Sequence, residues 1–576
     1  MAFWFRTVSA VSLAGAYLLS SGRIPQCPEF GFLSAFAAIW TAHFLVFVVW
    51  NVILYPKVFS PLRGLPEPSG NSWFMGQFAK IYANSSGVPH MGWYEVFPTG
   101  TLQHLASLLT VCRINSVPND GVIRYLGPFN LERLFITSPK ALAEVLVTKN
   151  YDFSKPYQFR FTIGRLLGIG VLLAEGDEHK VQRRNLLPAF AFRHIKDLYP
   201  VFWDKAREGV EAMTREILGD ASKAASEDKK TAVIEVGNWA SRITLDIIGV
   251  AGLGRDFGAI ANPDNELNQT YQHVFKPNRQ AAILGLLQVV IPPWFLNLLP
   301  LKRNSDVEQA AKKIRATCAD LIREKKQKLA QNELVDVDIL SVALESGGFT
   351  DENLVDQLMT FLAAGHETTA SAMTWAVYLL ARHPEVQERL RAEVRERLPP
   401  ISSGEDGSTV SSLDIDHMPY LNAVCNEVLR YFSPAPITLR STVCDTSIQG
   451  HFVPKGTQIM IVPWAINKSK SMWGEDALQF NPDRWLPKSD GDKRAASGGA
   501  TSNYAFMTFL HGPRSCIGQA FAKAEFACLV ASWVGRFHME LHNMEEMDEE
   551  KLEIKSTVTA RPAKGMYIKT TVLDGW

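Results

Sequence analysis

Cys516 lies between Gly512 and Gly518 and two residues after Arg514, in the run FLHGPRSCIG that occupies residues 509–518. A thiolate that ligates iron must be held close to the backbone and kept charged. Glycines allow the tight turn that this needs, and the guanidinium of Arg514 matches the carboxylate of a haem propionate. The alternative is a free buried cysteine at the junction of a turn and a helix. The fixed spacing Phe-x-x-Gly-x-Arg-x-Cys-x-Gly favours a haem-thiolate loop over that alternative.

The run AAGHETTA at residues 363–370 lies inside a strongly apolar stretch that predicts a long buried helix. Glycine and two β-branched threonines are unfavourable in the middle of a helix. We therefore predict a point where the helical hydrogen-bond ladder opens, the threonine hydroxyls bond back to the backbone and water enters the gap. Such a notch above a haem would bind oxygen. The alternative is a kink that serves packing alone.

The two motifs, and the order in which they occur, resemble those of the cytochrome P450 family, and in particular its membrane-anchored, microsomal-type fungal members. The resemblance covers about residues 65 to 576. It implies that Cys516 is the axial ligand of the haem iron, and that Phe509 and Gly518 complete the cofactor-binding loop.

The resemblance also implies roles outside this loop. Thr368 is expected to hydrogen-bond dioxygen or its ordered water, and Glu367 to relay protons for O–O cleavage. In the family, an aromatic residue or histidine followed four positions later by an arginine contacts the haem propionates, and here His179 and Arg183 occupy that pattern. Arg440 ends the segment PAPITLR, whose Pro-x-x-x-Arg spacing directs it to the same carboxylates. For either arginine the alternative is an ordinary surface charge.

Glu427 and Arg430 stand three positions apart on a predicted helix, where they can pair, and Arg484 follows in the run FNPDRW. An exposed pair of this kind contributes little to stability. Here the flanking residues are apolar, and the resembled family combines such residues into a buried Glu-Arg-Arg network that fixes the haem-side core. We therefore assign structural roles to these three residues.

The implied fold is mainly α with small β-sheets, with the haem, iron protoporphyrin IX, between the Thr368 helix and the Cys516 loop. The implied reaction is monooxygenation of a hydrophobic small molecule, with terpenoid or polyketide tailoring in secondary metabolism favoured. The alternatives are a sterol or fatty-acid hydroxylase, a haem-thiolate isomerase or dehydratase, and a haem sensor that performs no turnover. The Glu367–Thr368 pair argues against a sensor, because a sensor needs no proton relay.

Electrons are expected from a separate protein, because no G-x-G-x-x-G motif follows a clear strand and the chain has no room for flavin domains. The implied partner is NADPH–cytochrome P450 reductase, with cytochrome b5 as a further candidate. Lysine plus arginine and aspartate plus glutamate both number 59, so no global field favours a nucleic-acid partner. Seven cysteines without CxxC pairs fit a reducing compartment.

The N-terminal region has the composition of a membrane anchor. Residues 32–55 contain no Asp, Glu, Lys or Arg, and spanning a bilayer takes about 20 residues. Residues 8–19 are apolar but short, which fits either a second span or the h-region of a signal. Lys57 and Arg63 follow the main span, so the positive-inside tendency favours a cytosolic catalytic body, which we place at the endoplasmic reticulum.

The chain is therefore divided into a membrane anchor with a proline-rich hinge, residues 1–64, and a haem-thiolate catalytic domain, residues 65–576. Within the second part, residues 281–296 are apolar but too short and too broken by proline to span. They predict either a lid that dips into the membrane or an ordinary core helix. Glycosylation sequons, which matter only on the lumenal side, occur at Asn84, Asn268 and Asn467.

Overall fold

The computed structural model describes residues 2–21, 31–84, 87–94, 117, 119–221, 230–275, 279–288, 291–331, 338–401, 409–489, 495–556 and 558–576. Helices dominate this part of the chain, which confirms the predicted mainly α fold. The α-helices are α1 (Ala2–Ser20), α2 (Phe32–Val48), α3 (Phe78–Ala83), α4 (Val88–Tyr94), α5 (Pro139–Ala143), α6 (Tyr157–Leu167), α7 (Gly176–Leu186), α8 (Phe192–Ile195), α9 (Tyr199–Ala221), α10 (Val236–Ile247), α11 (Glu266–Phe275), α12 (Arg279–Leu287), α13 (Pro293–Leu298), α14 (Lys302–Ala330), α15 (Ile339–Glu345), α16 (Asp351–Arg382), α17 (Pro384–Arg397), α18 (Ser412–Asp416), α19 (Pro419–Tyr431), α20 (Pro463–Ile466), α21 (Lys470–Trp473) and α22 (Gln519–Arg536).

The strands form small sheets, as predicted. They are β1 (Val122–Leu126), β2 (Glu132–Ile136), β3 (Phe153–Ser154), β4 (Thr231–Glu235), β5 (Thr438–Thr442), β6 (Thr446–Ile448), β7 (His451–Val453), β8 (Gln458–Ile461), β9 (Phe537–Leu541), β10 (Ile554–Ser556), β11 (Ala560–Pro562) and β12 (Tyr567–Val572). One sheet has the order β1-β2-β8-β5-β3, another the order β4-β12-β9, and β6-β7 and β10-β11 are two-stranded. In the largest sheet β5 runs antiparallel to β8 and sets Arg440 opposite Ile459. Alternate side chains of a strand point to opposite faces, and Arg440 falls on a buried position.

α16 is the central helix of the molecule. It has 32 residues, which gives a length of roughly 48 Å. The Thr350 hydroxyl accepts a hydrogen bond from the Asn353 N–H at 3.3 Å and caps its first turn. Most of its residues between Leu354 and Leu380 are buried, where α10, α14 and α22 pack against it. Neighbouring elements cover most of the surface of this helix, so its polar side chains need hydrogen-bond partners inside the protein.

The predicted structural network is present and buried. Arg430 donates to both carboxylate oxygens of Glu427, at 2.8 and 2.7 Å, and Arg484 donates to the same carboxylate at 3.2 Å. The Trp485 indole adds a further hydrogen bond at 2.9 Å. Glu427 and Arg430 are fully buried, so these hydrogen bonds are what makes two interior charges tolerable.

The N-terminal segment continues α2 as a π-helix, Val49–Phe59, that contains Pro56. Residues Phe32–Gly64 form one helical segment that is long and apolar enough to cross a membrane, and this segment includes the predicted span. Within α1, the stretch Thr7–Ser20 is apolar but shorter than a membrane span. α1 packs against α2, where Gly15 lies next to the Ile39 side chain.

The membrane segment is attached to the body through its proline. Pro56 has no N–H to donate within the π-helix, and the side chain of Asn130 donates to the Val52 carbonyl of the same helix at 2.9 Å. The guanidinium of Arg124 donates to the carbonyl of Pro56 and pairs with Glu67. The residues expected to form a hinge are thus bonded to the hairpin of β1 and β2.

The second apolar stretch is exposed. Ile283 on α12 and Trp294, Phe295 and Leu298 on α13 have between 46% and 73% of their surface accessible. An ordinary core helix would bury these side chains, so the arrangement favours the membrane-dipping alternative.

Two of the three sequons lie in the core. Asn467 is fully buried: its amide nitrogen donates to the Arg430 carbonyl at 3.1 Å and to the Thr508 hydroxyl at 2.9 Å, and its amide oxygen accepts from the Met507 N–H at 2.7 Å. Asn268 is also buried, and Asn84 is partly exposed.

Candidate active site

The cysteine loop has a backbone that only particular residues can adopt. Gly512 has φ of +76°, and a Cβ there would lie 2.1 Å from the Leu146 carbonyl oxygen. Leu510 also has a positive φ, of +57°. The Cys516 N–H then donates to the Phe509 carbonyl at 2.8 Å and closes the loop. These constraints explain the fixed spacing of glycine, phenylalanine and cysteine in the sequence.

Cys516 presents open surface at the end of this loop, directly before α22, whose N-cap is Gly518. Crowding by protein atoms raises the pKa of its thiol, whereas a hydrogen bond from the Gly518 N–H and the charge of Arg183 act in the opposite direction. A cation and a backbone donor beside a sulfur favour the thiolate form that a metal requires. The chemistry of the loop therefore fits an iron ligand.

Arg183 and His179 lie one turn apart on α7 but have different partners. Arg183 donates to the Ser515 carbonyl at 2.7 Å and to the Ser515 hydroxyl at 3.2 Å, so it holds the loop directly before the cysteine. His179 is buried and lies 3.3 Å from the Tyr151 hydroxyl. Desolvation, and then the charge of Arg514, lower the pKa of His179 to about 4, so it is neutral at physiological pH.

Arg440 and Arg514 meet in a buried cluster of positive charge. Desolvation, followed by the charge of Arg514, lowers the pKa of Arg440 to about 10. Arg514 pairs with Glu175 and donates to Asn150 at 3.4 Å. Arg440 and Arg514 share the single Glu175 carboxylate, so one positive charge of the pair is not neutralised.

Lys155 belongs to the same cluster and was not identified from the sequence. Desolvation and the charges of Arg440, Arg514 and Arg160 lower its pKa to about 7, while Glu175 acts in the opposite direction. The Lys155 N–H donates to the Glu175 carboxylate at 2.8 Å. No motif points to Lys155 or Glu175, because they become neighbours only when α7 and the segment before α6 come together.

This cluster provides the test of whether haem fits the chain. Haem carries two propionates, and a site for it needs cations beside the thiolate loop. Among the described residues, Lys155, Arg440 and Arg514 are offset by the Glu175 carboxylate, which leaves an excess of positive charge in a desolvated place. A dianionic group relieves that excess, so the residues present fit the cofactor.

On the central helix, Ala364 is exposed and Thr368 partly exposed, whereas most neighbouring residues of α16 are buried. The Thr368 hydroxyl donates to the Ala364 carbonyl at 2.8 Å, and Thr369 bonds back to Gly365 at 3.3 Å, as predicted. The prediction that the helical hydrogen-bond ladder opens here is wrong, because α16 is continuous through the motif. The presence of glycine at position 365 has another physical cause. A Cβ there would lie 2.8 Å from the Ile248 side chain, so only glycine permits this close packing.

The residues beside Thr368 face other parts of the protein. Glu367 is 5% exposed; Thr559 donates to its carboxylate at 2.8 Å and Arg561 pairs with it. His366 is fully buried, with Nδ1 2.5 Å from the Leu362 carbonyl and its ring edge-on to Tyr271. It therefore points into the core and is not a candidate ligand.

Thr369 links the central helix to the helix that follows the cysteine. Its hydroxyl lies 2.9 Å from the carboxyl group of Glu525 on α22. Glu525 is fully buried, and desolvation raises its pKa well above the ordinary value, which favours the neutral carboxylic acid. The Thr369–Glu525 hydrogen bond therefore fixes α16 relative to α22, the helix that follows the Cys516 loop.

A thiolate loop, a cation cluster for two carboxylates and an exposed threonine on a buried helix define a haem-thiolate protein. Comparison with known proteins agrees: the cytochrome P450 family profile matches residues 123–569. The cytochrome P450 monooxygenase sphH of Aspergillus fumigatus is 44% identical, with 96% of each chain covered. The cytochrome P450 monooxygenases ALT8 of Alternaria alternata and FUM15 of Gibberella moniliformis are 43% and 41% identical, with 92% and 97% of each chain covered.

The chain belongs to the cytochrome P450 family. It is a monooxygenase, and its cofactor is haem bound through a cysteine thiolate. The family also implies a redox partner and a hydrophobic substrate.

Proposed function

We propose that this chain is a membrane-anchored monooxygenase that oxidises a hydrophobic small molecule in fungal secondary metabolism, by tailoring a terpenoid or a polyketide. The proposal is carried by the desolvated cation cluster of Lys155, Arg440 and Arg514 beside the Cys516 loop. The similarity to fungal monooxygenases over almost the whole chain supports the reaction class. The exposed apolar helices α12 and α13 support a substrate that arrives from the membrane.

Cys516 is proposed as the iron ligand, with Phe509 and Gly518 as the residues that close its loop. Arg440, Arg514, Lys155 and His179 hold the propionates. Arg183 is proposed to contact the propionates as well, and it also positions the loop through Ser515. When bound, the haem supplies the iron that activates dioxygen, and the thiolate favours O–O cleavage.

Thr368 and Glu367 are proposed as the residues that manage protons. The Thr368 hydroxyl has open surface and holds a proton that it donates to the Ala364 carbonyl. It can redirect that proton by rotation about one bond. Glu367 is an adjacent carboxylate, and a carboxylate can accept a proton and release it again.

The proposed electron donor is NADPH–cytochrome P450 reductase, with cytochrome b5 as a further partner. The proposed location is the endoplasmic reticulum membrane, with the catalytic body in the cytosol. The segment Phe32–Gly64 supports the anchoring, and Lys57 and Arg63 after the span support the orientation.

The first experiment is the difference spectrum of the reduced, carbon-monoxide-bound protein beside its Cys516→Ala variant. A thiolate-type Soret band in the parent protein and not in the variant is expected. Cys444→Ala is the matched control, because Cys444 is exposed and distant in sequence from the loop, and its variant should keep the band. Retention of the band in Cys516→Ala would disprove the ligand assignment.

The substrate class is tested with the same protein. Terpenoids, polyketides, sterols and fatty acids are titrated separately, and displacement of iron-bound water is followed in the Soret region. A shift at micromolar concentration with a terpenoid or polyketide is expected. A response to sterols or fatty acids alone would replace the proposed substrate class.

A further inference from the structure

Three polar residues form a stripe on one face of α16. Glu367, Ser371 and Trp375 are spaced four positions apart, which places them one above another on a helix. All three are buried, with 5%, 1% and 0% of their surface exposed. Buried polar side chains are normally hydrogen-bonded, so the partners of these three residues indicate what the stripe does.

The partners all belong to one short segment, Thr559 to Arg561. The hydroxyl of Ser371 and the indole of Trp375 both donate to the Ala560 carbonyl, at 2.8 and 3.1 Å. The Ala560 N–H donates to the Pro434 carbonyl at 2.9 Å. Both backbone groups of Ala560 are thus bound, and the hairpin of β10 and β11 is fixed in place relative to α16.

The same segment places two groups on the Glu367 carboxylate. Thr559 donates to Oε1 at 2.8 Å, and the Arg561 guanidinium pairs with the same oxygen. The side chain of Arg561 is 34% exposed, whereas that of Glu367 is 7% exposed. Arg561 therefore connects an interior carboxylate to the surface of the protein.

An interior carboxylate without partners would turn outward or become neutral. Here the Arg561 guanidinium supplies a counter-charge to the Glu367 carboxylate, and the Thr559 hydroxyl fixes its orientation. We propose that Thr559 and Arg561 are positioning residues for proton delivery, and that protons reach the site from the surface beside Arg561. This inference rests on the proposed role of Glu367. In each transfer, a proton from solvent water binds to the Glu367 carboxylate and then leaves it toward Thr368, so that the carboxylate is regenerated.

The test uses the full-length, haem-loaded protein supplied with electrons by NADPH and a flavoprotein reductase, and it measures the steady-state rate at which dioxygen reoxidises the protein, in H2O and in D2O. Arg561→Gln is expected to slow reoxidation at least about fivefold and to increase the solvent isotope effect. Arg561→Lys should restore the rate to within about twofold, because a cation remains. Lys555→Gln is the matched control. It also removes a cation from this hairpin, but Lys555 pairs with Glu553 and not with Glu367.

A second readout does not depend on turnover. If Arg561 acts on Glu367, the Tm losses of Arg561→Gln and Glu367→Gln are less than additive in the double variant. Thr559→Val provides an independent change at the same carboxylate oxygen, should Arg561→Gln fail to fold. It is expected to slow reoxidation without changing any charge.

The outcomes separate this inference from the proposed function. Slow reoxidation in Glu367→Gln with parent-like rates in Arg561→Gln and Thr559→Val would overturn the positioning role and leave Glu367 in the relay. Parent-like reoxidation in Glu367→Gln would overturn the role of Glu367 and this inference with it. An effect of Arg561→Gln that persists undiminished in the Glu367→Gln background would show that Arg561 acts elsewhere, and would also overturn the inference.

Discussion

At the scale of single residues, the charges around Lys155 are the least expected feature of the site. The side chain faces Arg440, Arg514 and Arg160, and the Glu175 carboxylate offsets them only in part. Desolvation and these cations lower the pKa of Lys155 to about 7, well below that of a free lysine. The protonation state of this group therefore changes within the physiological range.

We predict that haem binding depends on pH through Lys155. Propionates raise the pKa of the lysine, so binding above pH 7 requires the uptake of a proton. The ratio of the haem affinity of the parent protein to that of Lys155→Gln is therefore expected to fall by up to about tenfold per pH unit above about pH 7. The ratio isolates the lysine, because loss of the Cys516 proton on ligation affects both proteins alike. Haem titrations of the apoproteins between pH 6 and 9 measure this, and the same ratio for Lys140→Gln, an exposed control, should stay constant.

Gly512 gives a second prediction at this scale. Gly512→Ala combines an unfavourable φ of +76° with an overlap onto the Leu146 carbonyl. Gly499→Ala is the matched control, because Gly499 has φ of +78° and no heavy atom within 4 Å of an added Cβ. The control is expected to cost about 1 to 2 kcal/mol and to keep the thiolate Soret band. Gly512→Ala should lose the band, and equal behaviour of the two variants would refute a steric role.

At the scale of elements, the ion network on α19 joins the helix to the segment that contains Arg484. Glu427 accepts hydrogen bonds from Arg430, Arg484 and Trp485 in a place without solvent. Arg430 also donates to the carbonyls of Asn467, Ala477 and Gln479, at 2.7 to 2.8 Å. Through Arg430, α19 thus holds in place the irregular segment that precedes the Cys516 loop in the sequence.

Glu427→Gln is predicted to destabilise the protein by about 3 to 5 kcal/mol, because it leaves the fully buried Arg430 guanidinium without its counter-charge, whereas Arg484 keeps Asp476. Thermal unfolding of the haem-loaded protein measures the change. Glu308→Gln is the control, since Glu308 forms an exposed pair with Lys312 and its loss should cost less than about 0.5 kcal/mol. A similar Tm for both variants would contradict a structural role for the network.

The elements also show what the sequence can predict. The Cys516 loop was predictable because a metal-binding turn with close backbone contacts tolerates few residues at fixed positions. The opening of α16 was predicted wrongly, because a mid-helix glycine has several physical causes, and at Gly365 the cause is contact with Ile248. Lys155 and Glu175 were missed because their importance comes from neighbours that are distant in sequence.

At the scale of the whole molecule, the membrane segment and the catalytic body form one bonded unit. The amide of Asn130 donates to the Val52 carbonyl, and the Arg124 guanidinium donates to the Pro56 carbonyl. Phe129 and Asn130 both have a positive φ, which is costly for residues other than glycine. This turn aims the amide at the segment Phe32–Gly64, so a short hairpin fixes how that segment is attached to the catalytic body.

We predict that Asn130→Gly loosens this attachment. Glycine accepts the φ of +53°, so the variant removes the amide without adding backbone strain. Faster hydrogen exchange over residues 49–60 and a broader distribution of haem tilt angles are expected in oriented bilayers. Gln449→Gly, which removes an amide at φ of +50° in the β6–β7 turn, is the control. Unchanged exchange in Asn130→Gly would show that Arg124 alone is sufficient.

The buried amide of Asn467 has a consequence for biosynthesis. Its nitrogen is the atom that an oligosaccharyltransferase would modify, and in the folded protein it has two hydrogen-bond acceptors and no access to solvent. A sugar attached there during translocation would occupy the space of the core around Arg430. In the proposed orientation the catalytic body lies in the cytosol, where Asn467 never meets that enzyme. Sugar on Asn467 would therefore mark chains inserted in the opposite orientation, and those chains could not pack the core around Arg430.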